Sequence, residues 1–160
     1  MLRLTRVTDY GILLMTQLVS PDETLRFTAN DLAIATRVPA PTVSKILQSL
    51  LRSSLVVSVR GAHGGYQLAR PASDISLRDI IHSLEGQIAL TECNLDQGGS
   101  CDQSEVCSTS HHWKRINQSM HDALANISLA DMADEQFMPV FMVKRGMSIQ
   151  NMSEAHHGNQ

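Results

Sequence analysis

The sequence predicts a mainly α-helical fold with a small β-wing, and three observations predict it. Apolar residues recur at helical spacing in three successive segments of the first third of the chain. The second and third of these meet across a gap short enough to force a sharp turn. A glycine-rich stretch between two β-rich runs follows directly. Three helices and then a hairpin is the order of a winged helix-turn-helix, and one more helix with a narrow apolar stripe predicts a long C-terminal dimerisation helix.

Residues 8–19, TDYGILLMTQLV, carry Tyr10, Leu13, Leu14, Met15 and Leu18 behind Thr8 and Asp9, which can cap, and stop near Ser20-Pro21. Thr28 then caps a short second helix, with Asp31 placed as the acid of a capping box. Pro39 and Pro41 fit only outside a helix or in its first turn, so a third helix starts near Ala40. Its apolar stripe is Val43, Ile46, Leu47 and Leu50. The opposite face holds Thr42, Ser44, Lys45, Gln48 and Arg52, donors and acceptors of a length that reaches base edges and phosphates in a major groove; a plain solvated face has the same look.

The run LVVSVRGAHGGYQLAR reads as strands 55–59 and 66–68 around a turn whose glycines supply positive backbone dihedrals. Arg60 and His63 stand at or beside the hairpin tip, where a side chain can enter a minor groove, and Gly64 and Gly65 let backbone approach a phosphate. Ordinary hairpin chemistry also accounts for the glycines. Taken with the three helices, the wing makes DNA binding the better reading, with Thr42, Ser44, Lys45, Gln48, Arg60 and His63 as candidate contacts.

A fourth helix, 76–84, turns Ile80, Ile81 and Leu84 inward and stops at Gly86, with His82 read as a surface histidine. The last helix begins near His111 and bears Trp113, Ile116, Met120, Leu124 and Ile127 in one narrow seam, the pattern of helices that pair. Folding back on the winged domain is the alternative. A two-fold homodimer is favoured because it sets two recognition helices on successive half-sites of a palindromic operator. The expected organisation is a winged helix-turn-helix DNA-binding domain at 1–72, a linking helix at 73–92, a cysteine loop at 93–110, a dimerisation helix and return segment at 111–135, and a disordered tail at 136–160.

At 160 residues and 42% apolar content, the chain suits one domain or a compact domain with an arm. It has no apolar run of about eighteen residues and no apolar leader at its N-terminus, so a cytoplasmic protein without a membrane partner is expected. The net charge of −3 conceals an asymmetry: eight Lys/Arg against four Asp/Glu up to residue 72, five against twelve beyond it. Only the first part suits a polyanion, and modestly.

All three cysteines, Cys93, Cys101 and Cys107, lie in CNLDQGGSCDQSEVC with the spacing C-x7-C-x5-C. An odd count in a reducing compartment argues against a disulfide framework and toward metal binding, reactivity or redox sensing. The spacing contains no C-x2-C knuckle to signal zinc. It suits an iron–sulfur cluster with one further ligand, and a thiol switch or free thiols remain open. Nearby candidates for that further ligand are His111, His112, Glu92 and Glu105.

The opening LRLTRVTDYG, the wing VRGAHGGYQLARP, the helix ISLRDIIHSLEG and a three-cysteine loop before HHW together resemble the IscR/NsrR-type family of winged-helix transcription regulators, over residues 1–133. TDYG and ISLADM look most similar to its branch that regulates the SUF cluster-assembly system. The resemblance implies a DNA-binding regulator, usually a repressor, of iron–sulfur assembly genes. It implies further that Cys93, Cys101 and Cys107 hold a 2Fe-2S or 4Fe-4S cluster and that Pro41, Ser44, Lys45 and Arg60 lie near DNA. Two departures stand out. Ser110 occupies the place of the family's usual histidine, which leaves His111 as the fourth ligand, or Asp9, matching a first-helix aspartate that some nitric-oxide sensors contribute from the partner subunit. The first loop between cysteines is also longer than usual, which bears on cluster nuclearity. A nitric-oxide- or redox-sensing repressor of the same fold is the alternative, and a cluster carrier without operator binding is a further one. The alternative of another class is a zinc- or thiol-dependent enzyme, against which stand the missing C-x-x-C and H-E-x-x-H patterns.

Overall fold

A computed structural model describes residues 4–20, 22, 24–61, 63–95, 101 and 106–134. The expected tail at 136–160, and most of the loop joining the cysteines, lie outside the described residues. The elements are α1 (Arg6–Gln17), α2 (Ala29–Thr36), α3 (Ala40–Arg52), β1 (Val56–Val59), β2 (Gly65–Leu68), α4 (Leu77–Glu85), α5 (Ser110–Ala125) and α6 (Leu129–Ala133), with short 3-10 turns at Ala72–Asp74 and Glu92–Asn94.

Helix α1 starts earlier than its apolar pattern suggests. Its cap is Thr5, whose hydroxyl oxygen accepts the Thr8 N–H at 3.4 Å, in place of Thr8 or Asp9. Thr8 is instead fully buried, and its hydroxyl donates to Glu85 Oε1 at the end of α4. The same carboxylate oxygen accepts the Thr5 N–H at 2.8 Å. A carboxylate is favoured at a helix N-terminus, where unpaired N–H groups gather, so Glu85 caps α1 from across the fold. These bonds, the Thr8 hydroxyl first and the Thr5 N–H second, hold the Glu85 carboxyl below its ordinary range.

Helix α2 opens on the Thr28–Asp31 capping box and closes with Arg37 in the left-handed conformation, φ 57°. Pro39 caps α3, its carbonyl accepting the N–H groups of Thr42 (2.9 Å) and Val43 (3.0 Å). The predicted stripe is the centre of the core: Val43, Ile46, Leu47 and Leu50 are buried against Leu14, Met15, Leu32, Ile75 and Ile80. Burying such side chains contributes about 1.5–3 kcal/mol each.

Strands β1 and β2 pair antiparallel from Val56↔Leu68 to Val59↔Gly65. Phe27 adds a bridge on the free side of β2, exchanging both backbone bonds with Tyr66 (3.1 and 2.8 Å). This approach leaves no room for a side chain at Gly65, whose Cβ would stand 2.8 Å from the Phe27 carbonyl oxygen.

The pentapeptide ISLRD (75–79) has a near copy, ISLAD, at 127–131. Each is a capping box, Ser76–Asp79 opening α4 and Ser128–Asp131 opening α6. The two copies pair with each other: Leu77 N–H donates to the Ile127 carbonyl (2.8 Å), and Leu129 N–H to the Ile75 carbonyl (2.7 Å). Leu129 is thereby driven fully into the core. The chain thus leaves the core after Glu85, passes through the cysteine segment and α5, and returns to the core at Ser128. Ile127 belongs to this return and not to the last long helix, because α5 ends at Ala125 with Asn126 as its cap.

Candidate nucleic-acid interface and cysteine segment

On α3 the buried stripe leaves Pro41, Ser44, Lys45 and Gln48 exposed, with Thr42 half-buried beside them. The 3.6-residue period alone dictates this division. At the wing tip the Gly64 N–H donates to the Gly61 carbonyl (3.0 Å), and Gly61 takes φ 119°, a conformation that favours glycine. Arg60 and His63 are both exposed there. An added Cβ at Gly64 would strike the Val59 carbonyl oxygen, so the turn admits no side chain at that position. A helix face carrying a lysine and an amide, flanked by a hairpin with an arginine, can place donors toward base edges and phosphates together.

Along α5, Trp113 and Ile116 are 40% and 48% exposed and Met120 and Leu124 half-buried, and the helix buries no residue fully. Its polar residues tie it to the connection after α4: Asn117 Oδ1 accepts the Leu90 N–H (3.0 Å), and His121 Nε2 lies 2.8 Å from the Ile88 carbonyl oxygen.

Cys93, Cys101 and Cys107 are all half-buried free thiols. Cys93 sits in the Glu92–Asn94 turn with Sγ 3.1 Å from Thr91 Oγ1. Cys107 lies just ahead of α5, with Sγ 3.3 Å from Thr109 Oγ1. The Thr109 hydroxyl, and after it the backbone N–H groups of Thr109 and Ser110, lower the Cys107 pKa from its ordinary value. His111 and His112 are exposed, their rings 3.7 Å apart, and Asp9 is exposed in the first turn of α1. Among the described residues, no three His, Cys, Asp or Glu side chains are gathered as a metal site. The donor chemistry fits a thiophilic group, with three thiols in one segment and one of them biased toward thiolate. Sequence reasoning missed Thr91 and Thr109, which orient two of these sulfurs. A cavity of about 560 Å³ between the end of α1 and β2 touches none of the predicted site residues.

No described helix is long and apolar enough to cross a membrane. Residues 4–135 match the Rrf2 family, described as iron-dependent transcriptional regulators. An HTH-type transcriptional regulator of Azotobacter vinelandii is 31% identical over 131 residues, covering 82% of this chain and 79% of that protein. Among solved structures, IscR of T. potens superposes with a TM-score of 0.64 at 29% identity, covering 89% of this chain and 96% of the other. CymR, the global cysteine regulator of B. subtilis, gives 0.65 at 26%, covering 83% and 97%. These relatives are regulators of transcription and not enzymes, which removes the zinc- or thiol-dependent enzyme from consideration. The chain belongs to the Rrf2 family of winged-helix transcriptional regulators.

Proposed function

We propose that the protein is a homodimeric repressor of iron–sulfur cluster assembly genes, acting in the cytoplasm, which carries an iron–sulfur cluster on Cys93, Cys101 and Cys107. The observation that carries the reading is the placement of all three thiols in the one excursion between α4 and α6, anchored in the core at both ends. His111 or the partner's Asp9 would complete the ligand set. When bound, the cluster supplies a group whose gain or loss responds to iron, oxidant or nitric oxide.

The rest is done by this chain's own side chains. Two copies paired through Trp113, Ile116, Met120 and Leu124, with Ile127 at the edge, would present two α3 faces to successive major grooves and two wing tips to minor grooves. Lys45 and Gln48 reach base edges, Pro41, Thr42 and Ser44 pack at the groove wall, and Arg60 and His63 hold the flanking backbone. The Glu85 and Ser76–Ser128 anchors pass any change in the 86–127 excursion to the core that holds α3. A coupling of about 1–3 kcal/mol suffices for a 5- to 150-fold change in operator affinity.

Anaerobic purification with visible absorption, iron and acid-labile sulfide counts, and a Cys107→Ala control tests the cluster. Colour with matching iron and sulfide, lost in the variant, is the expected result. A protein that stays colourless after reconstitution favours the second reading, a thiol-based redox switch on the same fold, for which the lowered Cys107 pKa speaks. For the DNA contacts, Lys45→Ala and Arg60→Ala are expected to weaken promoter binding at fixed salt. If neither does so relative to nonspecific DNA, the protein is not the regulator proposed.

A further inference from the structure

A cavity of about 320 Å³ opens between α4 and α5, lined by Arg78, Asp79 and His82 of α4, Ile88 of the connection that follows, and His121 of α5. None of these residues belongs to the DNA-facing set or to the thiols. Arg78 and His82 stand four residues apart on one helix face, both exposed, and neither has a hydrogen bond or ion pair among the described residues. The carboxylate in the lining is already occupied: Asp79 Oδ2 accepts Arg70 Nη2 at 2.9 Å and the Ser76 N–H at 3.3 Å. His121 is fixed across the same space by its 2.8 Å bond to the Ile88 carbonyl, which requires the proton on Nε2.

The lining therefore combines an uncommitted guanidinium, two imidazoles and a neutralised carboxylate. It lies in the part of the chain beyond residue 72, where five Lys/Arg face twelve Asp/Glu. A free arginine fork beside a histidine, inside a concave space, is the arrangement that recognises planar or tetrahedral oxyanions. The volume corresponds to roughly ten water molecules, enough for a phosphate ester or a small polycarboxylate. We propose that this cavity binds a small oxyanion, with Arg78 as its principal ligand and His82 as a second donor. A ligand seated there braces α4 against α5 at the point where the chain departs toward Cys93. The site is independent of the cluster, since no thiol takes part in it.

The test uses the full chain, titrated separately with inorganic phosphate and with citrate at constant ionic strength against chloride, read by calorimetry and by thermal melting. Saturable binding and a rise in Tm with either anion are expected, and the preferred anion tells a phosphate source from a carboxylate one. Arg78→Ala and His82→Ala should each weaken binding by about tenfold or more, as the loss of a charge-assisted hydrogen bond does, while leaving the anion-free Tm unchanged. Failure of both anions to bind saturably overturns the proposal, as does binding unaltered in the two variants. Weaker promoter binding by Arg78→Ala without added anion would assign the arginine to the DNA interface and overturn it equally.

Discussion

Leu129→Ala tests whether the five-residue helix α6 is part of the winged domain's core. Leu129 is fully buried and is held by the Leu129 N–H to Ile75 carbonyl bond at 2.7 Å. Truncation removes three carbons, a transfer loss of about 2.4 kcal/mol at roughly 0.8 per carbon, and leaves a cavity that raises buried Leu→Ala losses to about 3–5 kcal/mol. A helix of one turn can settle inward, so the lower end, about 3 kcal/mol, is expected. With a urea m-value of about 1.5 kcal/mol/M, the midpoint should fall by about 2 M with m unchanged. Met132→Ala, on the same helix but 37% exposed, is the internal control and should cost about 1 kcal/mol or less. Equal losses in the two variants would refute the docking of α6, and with it the anchoring of the cysteine excursion at its far end. The loss is not absorbed elsewhere in the motif, because the Ser128–Asp131 box stabilises α6 only while α6 is formed.

Three further outcomes follow from the geometry. The Glu85 carboxyl is depressed in the folded chain, so its contribution is complete above its ordinary value of 4.5 and is lost as the pH falls through the lower folded value; Glu85→Gln should flatten Tm against pH in that acid range, and an unchanged profile would sink the capping role. Cys107, in a chain whose other cysteines are alanine, should alkylate with a midpoint below that of an unperturbed thiol, and Thr109→Val should move the midpoint up. Gly65→Ala forces a Cβ against the Phe27 carbonyl and should cost about 1–3 kcal/mol in a melting assay, with promoter affinity falling as the wing shifts.

What the sequence discloses here depends on how local the physics is. The α3 stripe and its opposite face are legible because a single period of 3.6 decides both, and Val43, Ile46, Leu47 and Leu50 are buried accordingly. The Thr28 cap is legible for the same reason, closing a ring within three residues. The α1 boundary is not, since its capping carboxylate, Glu85, lies 80 residues from Thr5 and no spacing rule reaches that far. The misplacement of Ile127 is of another kind. Its spacing from Leu124 continues the apolar seam, yet Ser128 and Asp131 carry the same start signal as Ser76 and Asp79, and a helix start at 128 requires the previous helix to have ended. Where periodicity and a capping box disagree, the box prevails here: it satisfies backbone N–H groups that continuation of the seam would leave to chance, and pairing with the first ISLxD copy adds two backbone bonds that the extended helix cannot make. The cysteine segment sits at the opposite extreme. The thiols are visible in the sequence, but the lowering of the Cys107 pKa is set by the Thr109 hydroxyl and the backbone N–H groups of Thr109 and Ser110. That is a matter of angstroms at a helix start, which composition and spacing do not encode.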